Sequence, residues 1–166
     1  QRLGLTKIYA QACDSSHTAQ VEEIVHTHAP QGIDWVLVDA PCSGLGTLRR
    51  NPELKTREED SLASLVTLQA HLLDTGAHMV MPDKHLVYVV CTMTPAETCG
   101  QVEGFLHRHP EFYVVPITAS LVQDFVVHEE QGDVFRSWPH RHLADGFFGV
   151  VFKRGSLHKD SDAGAP

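Results

Sequence analysis

Trp35-Val36-Leu37-Val38-Asp39-Ala40-Pro41-Cys42-Ser43-Gly44-Leu45-Gly46 is the stretch from which the fold can be read. Its first four residues are continuously apolar, as in a strand buried on both faces of a parallel sheet. A carboxylate, a cis-capable Ala-Pro bond, a cysteine and two glycines then arrive where that strand must end. In open α/β sheets, ligands bind at the carboxyl ends of the strands. A second apolar run, Leu86-Val87-Tyr88-Val89-Val90, is closed by Cys91. Two cysteines at two strand ends are expected to face one crevice. Thr94-Pro95-Ala96-Glu97 then reads as a capping box, with Thr94 as N-cap, Pro95 first and Glu97 third in the helix. That helix is expected to end near His107, before Pro110.

The remaining elements follow from the same patterns. Residues 2–5 read as a helix end, with Gly4 near its C-cap. Residues 7–12 predict a strand, with Cys13 and Asp14 at its end. Residues 19–26 allow a short helix, closed by Pro30 and Gly32. Residues 45–55 read as loop. A long helix is predicted over about 58–79, with Leu62, Leu65, Val66, Leu72, Leu73 and Ala77 as its apolar stripe. Pro82-Asp83-Lys84 reads as a turn. Short strands are expected at 112–115 and 134–138, and a further strand at 147–152. Strand–helix alternation makes this an α/β sheet. Residues 1–154 are expected to form the domain, and the small, polar residues 155–166 a disordered tail.

Composition sets the limits. A chain of 166 residues with 42% hydrophobic residues suits one domain with a sizeable core. No run reaches the length of a membrane span, and no signal-peptide pattern opens the chain. Four cysteines do not make a disulfide framework in a chain of this size. Reduced thiols and a cytoplasmic location are expected. The net charge of −8 argues against a strongly basic nucleic-acid binder. Locally the balance reverses: Arg49, Arg50, Lys55 and Arg57 cluster just after Gly46. That cluster reads either as a solvated face or as a phosphate contact beside the crevice.

Three motifs carry a family resemblance: the block Asp39 to Gly46; Arg49-Arg50-Asn51-Pro52-Glu53-Leu54-Lys55; and Tyr88-Val89-Val90-Cys91-Thr92-Met93-Thr94-Pro95-Ala96-Glu97. Together they resemble the RsmB/Nop/Sun family of S-adenosylmethionine-dependent RNA cytosine-5 methyltransferases. Pro139-His140, followed by Asp145-Gly146-Phe147-Phe148, resembles that family's C-terminal signature. The arginine-rich stretch leans toward the ribosomal-RNA branch. The resemblance implies a Rossmann-like class I methyltransferase fold with an antiparallel last strand at 147–152. It implies Cys91 as the nucleophile that adds to cytosine C6, and Cys42 as the cysteine that assists product release. It also implies Asp14 as an adenine-side cofactor contact and Asp39 as a contact to both cofactor and target base. Arg49 and Lys55 are the expected RNA contacts. S-adenosyl-L-methionine is the implied cofactor and RNA, in particular ribosomal RNA, the implied partner; a monomer is expected, though no sequence feature sets the oligomeric state.

The chain also departs from the family pattern. Val89-Val90 stand where the family has Ser-Thr, and Glu97-Thr98-Cys99 where it has Glu-Asn-Glu. No G-x-G-x-x-G or G-x-G-x-G occurs. The strand at 7–12 would then match the family's third strand and 35–39 its fourth, with the first two strands and the glycine-rich loop lacking. The chain is therefore expected to be the C-terminal part of a longer catalytic domain. A non-catalytic RNA-binding remnant is the alternative reading. Three His-x-His pairs, His26/His28, His107/His109 and His140/His142, have a spacing that can bind zinc. No Cys-x-x-Cys or His-Glu-x-x-His accompanies them, and no metal site is expected.

Overall fold

The computed structural model describes residues 7–56 and 60–156. Its elements are α1 (Thr18–His28), β1 (Ile33–Asp39), α2 (Asp60–Met79), β2 (Val80–Val90), α3 (Cys99–Arg108), β3 (Phe112–Val114), β4 (Val126–Glu129), β5 (Gly132–Ser137), α4 (Pro139–His142) and β6 (Phe147–Arg154). The strands form one sheet in the order β1-β2-β6-β5-β4, with β3 also pairing β6. β1 and β2 are parallel, as their unbroken apolar runs predict. β6 runs antiparallel to β2, so the last strand reverses as expected.

The register of β1 on β2 places the site. Asp39 lies opposite Val89, so the two strands finish side by side and release their loops in the same direction. At the other end, Ile33 faces Val80 but Trp35 faces His85. The surplus residues of β2 loop out at Pro82-Asp83-Lys84, where Asp83 takes a left-handed φ of 63°. The predicted turn is thus a bulge within a longer strand.

α2 and α3 cover one face of the sheet. Leu73 and Ala77 of α2 and Val102 and Phe105 of α3 close on Leu86, Tyr88, Val90, Phe148, Val150 and Phe152. Phe105 packs on Phe152 at a centroid distance of 4.6 Å and on Phe112 at 5.2 Å. Side chains alternate between faces along a strand. Alternate residues of β1 therefore face away from α2, and Trp35 and Leu37 are 59% and 65% exposed. Among the described residues, no helix is long and apolar enough to cross a membrane.

Several expectations need correcting. Residues 8–14 carry no regular structure, and the predicted strand at 7–12 does not form. An extended segment becomes a strand only when a neighbour completes its hydrogen-bond ladder. Among the described residues the sheet ends at β1, and Ile8 and Tyr9 are exposed, with Tyr9 stacked on His28. The helix expected from Thr94 starts at Cys99; Pro95–Glu97 forms a separate 3-10 turn before it. The Ala40-Pro41 bond is trans, as are the other described peptide bonds. The β4 strand was not anticipated: four residues are too few to announce themselves by alternation. The loop at 45–55 contains two 3-10 turns, Leu45–Thr47 and Pro52–Thr56. The helix end at 2–5, the first residues of the helix at 58–79, Arg57 and residues 157–166 of the expected tail lie outside the described residues.

Candidate active site

The parallel register brings the two strand-end cysteines together. Cys42 Sγ and Cys91 Sγ are 3.3 Å apart, within hydrogen-bond reach for sulfur. The loops that carry them are tied by backbone bonds. Ala40 N–H donates to Val89 O (3.1 Å), and Gly46 N–H donates to Cys91 O (3.0 Å). Gly146 N–H, from the turn before β6, donates to Gly46 O (2.8 Å). A Cβ on Gly46 would collide with the Gly146 carbonyl and stand 2.9 Å from the Cys91 carbonyl. Only glycine lets three chain segments meet there. Gly44, at φ 73°, supplies the left-handed turn that carries the loop past Cys42.

A buried carboxylate fixes the separation of the two thiols. Glu97 is fully buried. It accepts from Ser43 N–H (2.7 Å) and Ser43 Oγ (2.6 Å), both on the Cys42 loop. From the Cys91 loop it accepts from Thr92 Oγ1 (3.0 Å) and Thr94 Oγ1 (2.8 Å). From α2 it accepts from Gln69 Nε2 (3.0 Å), which also donates to Pro41 O (2.8 Å). Burial by itself would raise the Glu97 carboxyl, but the bonds from Ser43, Thr94 and Gln69 outweigh it and hold the group below its ordinary value. The capping box is therefore not closed as the sequence suggests: Glu97 turns away from the Thr94 backbone toward Ser43. Tyr88 OH donates to the Glu97 carbonyl (2.9 Å), and burial pushes that hydroxyl's pKa up.

Burial also pushes the Cys42 thiol up to about 12, and its hydrogen bond with Cys91 acts in the same direction. Cys42 is thus a protonated S–H donor across the neutral range. Alkylation of Cys42 by iodoacetamide, followed by peptide mass spectrometry, is expected to stay slow and flat from about pH 7 to about pH 9, where an ordinary thiol accelerates. A rate that climbs through that range contradicts a buried, protonated Cys42.

Asp14 and Asp39 line one cleft of about 500 Å³ between α1, β1 and α2. Val25, Val36, Leu72 and Pro41 form much of its wall. Asp14 also caps its own turn: Oδ1 accepts from Ser16 N–H (2.9 Å) and Ser16 Oγ (2.7 Å), which lowers its pKa. Arg49 and Lys55 are exposed on the segment after Gly46, and no carboxylate among the described residues pairs with either. Arg50 does pair, with Asp145, and so joins that segment to the turn before β6.

One histidine of each pair packs or bonds within the fold. His109 sits on Asp74 at 2.9 Å and against Phe105, His28 stacks on Tyr9, and His142 Nδ1 accepts from Trp138 N–H. Sequence reasoning missed Ser43, Thr92 and Gln69 as site residues, and assigned Glu97 only to a cap. One signal was present: Gln69 interrupts the apolar stripe of α2, and a buried amide implies a polar partner.

The 16S rRNA methyltransferase RsmB/F family model matches residues 1–153. A relative from Synechocystis, "Probable ribosomal RNA small subunit methyltransferase B", is 37% identical over 155 residues, covering 93% of this chain and 33% of the relative. Ribosomal RNA small subunit methyltransferase B of Thermus thermophilus is 45% identical over 89 residues, 53% of this chain and 22% of its own. Among solved structures, PH0851 superposes with a TM-score of 0.67 at 28% identity, over 86% of this chain and 36% of that one. A methyltransferase homologue from Pyrococcus horikoshii superposes with a TM-score of 0.68 at 24% identity, over 92% of this chain and 47% of its own. The fold is thus Rossmann-like, of the methyltransferase type. The chain spans about a third of the length of the curated relatives it matches.

Proposed function

Because this chain belongs to the family of RsmB/F 16S rRNA methyltransferases, we propose that it carries the reacting thiols of an S-adenosylmethionine-dependent enzyme that methylates C5 of cytosine in ribosomal RNA. The observation that carries this reading is the 3.3 Å approach of Cys42 and Cys91 at the ends of two parallel strands.

The residues present fit the cofactor. Carboxylates at Asp14 and Asp39 suit the hydroxyls and the ammonium group of such a molecule, and the apolar wall between them suits its adenine. When bound, S-adenosylmethionine supplies a methyl group open to nucleophilic attack. The chain's residues prepare the nucleophile. C5 of cytosine is unreactive while the ring is conjugated. Cys91 sulfur adds to C6, and the ring electrons move onto C5, which would bond the methyl carbon as that carbon's bond to the cofactor's sulfonium sulfur breaks and leaves its electron pair on that sulfur. Loss of the C5 proton to solvent water restores the C5–C6 double bond and returns the bonding pair of the C–S bond to Cys91. Cys42, still protonated, donates an S–H hydrogen bond to that departing sulfur and keeps its proton. Asp39 accepts from the exocyclic amine of cytosine, a contact uracil does not offer. Arg49 and Lys55 take RNA phosphates. Both thiols must stay reduced, in keeping with work in the cytoplasm.

The test uses the natural gene product, ribosomal RNA lacking the modification and S-adenosylmethionine with a labelled methyl group. Digestion to nucleosides and mass spectrometry are expected to find the label in 5-methylcytidine. Label confined to another nucleoside, or none incorporated, overturns the reading.

A further inference from the structure

We propose that the cleft between the Cys91 loop and α4 binds a single-stranded ribonucleotide that flanks the target, its base stacked on Trp138 and its phosphate held by Arg141. This inference rests on the RNA reading above and extends it to a second base site. The cleft has a volume of about 550 Å³, and its walls include Met93, Thr98, Glu129, Arg136, Trp138 and Arg141. It adjoins the thiols through the chain itself. Met93 is two residues past Cys91 and packs on Gly146, whose N–H is bonded to Gly46, which in turn is bonded to the Cys91 carbonyl.

The cleft is built for one polar, planar occupant. Arg136 is buried, with its side chain only 10% exposed. Its Nε donates to Glu129 at 2.5 Å, which neutralises the one carboxylate on the cleft wall. Its Nη2 reaches Thr98 Oγ1 at 3.5 Å. Its Nη1 has no hydrogen-bond partner among the described residues, yet it is not sealed from solvent. The guanidinium lies 4.8 Å over the Phe148 ring and 5.7 Å from the Trp138 ring, so the indole is braced from below. The turn that carries Trp138 is fixed as well: its N–H is capped by His142 Nδ1 at 2.9 Å. Arg141 and His140 are exposed at the rim.

A rigid aromatic face, a donor with spare N–H groups and a rim cation together make a site for a base and its phosphate. An apolar peptide would leave the free Arg136 donors unmet. In a chain of net charge −8, this basic rim is a local exception.

The chain has two tryptophans, Trp35 and Trp138. In a Trp35→Phe background, indole fluorescence reports Trp138 alone, and Trp35 lies on the far side of the sheet from the core. Titration with a short single-stranded oligoribonucleotide containing one cytosine is expected to quench that signal. The labelled oligonucleotide, followed by fluorescence anisotropy, is expected to bind about tenfold more weakly to Trp138→Leu. Arg141→Gln is expected to lower the slope of log affinity against log salt by about 1. If anisotropy reports binding while Trp138 fluorescence and the Trp138→Leu affinity are unchanged, the cleft is overturned and the RNA reading stands. If the oligonucleotide binds none of these proteins, the cleft and the RNA reading fall together.

Discussion

Cys42→Ala is expected to leave the protein covalently joined to its RNA, while Cys91→Ala forms no adduct and transfers no methyl group. The two thiols are only 3.3 Å apart, so the contrast tests their roles and not their location. In the proposed mechanism, addition of Cys91 to C6 needs its sulfur and nothing from Cys42. Release needs the C–S bond to break with its electron pair left on Cys91. That pair is stabilised by a neighbouring S–H, and the Cys42 thiol, with a pKa near 12, keeps its proton to provide one. Alanine at 42 removes the donor after the bond has formed, so the intermediate accumulates. Removing a nucleophile from a group of residues that acts as a unit costs on the order of 10^4-fold or more in turnover. Denaturing gels, with intact mass spectrometry of the shifted band, distinguish the two variants. Cys42→Ser restores a donor at the same place and is expected to release its RNA more readily than Cys42→Ala. Normal turnover in Cys91→Ala sinks the assignment, and so does an adduct that persists in that variant.

How far the sequence could be read depended on whether a feature was local. The strand ends at Asp39 and Val90 were legible because each parallel strand carries an unbroken apolar run, although β1 is not buried on both faces as expected: among the described residues it is the outer strand, and Trp35 and Leu37 stay exposed. Cys42 and Cys91 could be placed together because such strands end side by side, which the register bears out. The failures share one cause. Residues 7–12 look extended, but a strand is a property of a pair, and among the described residues the sheet offers no neighbour beyond β1. Glu97 sits at the third position of an apparent capping box, and nothing nearby in sequence says that Ser43, 54 positions away, will claim its carboxylate. The box failed because buried donors on two loops outcompete one exposed backbone N–H. Gly46 was noted only as part of a motif; its need for contact with both Gly146 and Cys91 is a long-range fact.

Glu97→Ala is expected to be the most destabilising single substitution in the site, costing about 3–5 kcal/mol, because it strands buried donors that had a charged acceptor. Five hydrogen bonds converge on this carboxylate, from two donors on Ser43 and one each on Thr92, Thr94 and Gln69. Without it, the Cys42 and Cys91 loops lose their common anchor. For a chain of this length the melting temperature is expected to fall by about 10 °C. Glu97→Gln keeps the shape and one acceptor but turns an NH2 toward groups that donate, and is expected to cost about 2 kcal/mol. The pH dependence separates this network from simple packing. The folded-state carboxyl lies below the ordinary value of 4.5, so its stabilisation is complete above about that pH and is lost as the pH falls through the folded-state value. The stability gap between wild type and Glu97→Gln, measured by urea denaturation, is therefore expected to be widest near neutrality and to narrow in acid. A gap that is the same at pH 7 and at acid pH, or a Glu97→Ala protein that melts with wild type, removes Glu97 from the role of anchor. With the network gone and the fold retained, adduct formation at Cys91 is expected to slow in Glu97→Gln even though Glu97 touches neither sulfur. The carboxylate acts only by holding the Cys42 loop against the Cys91 loop.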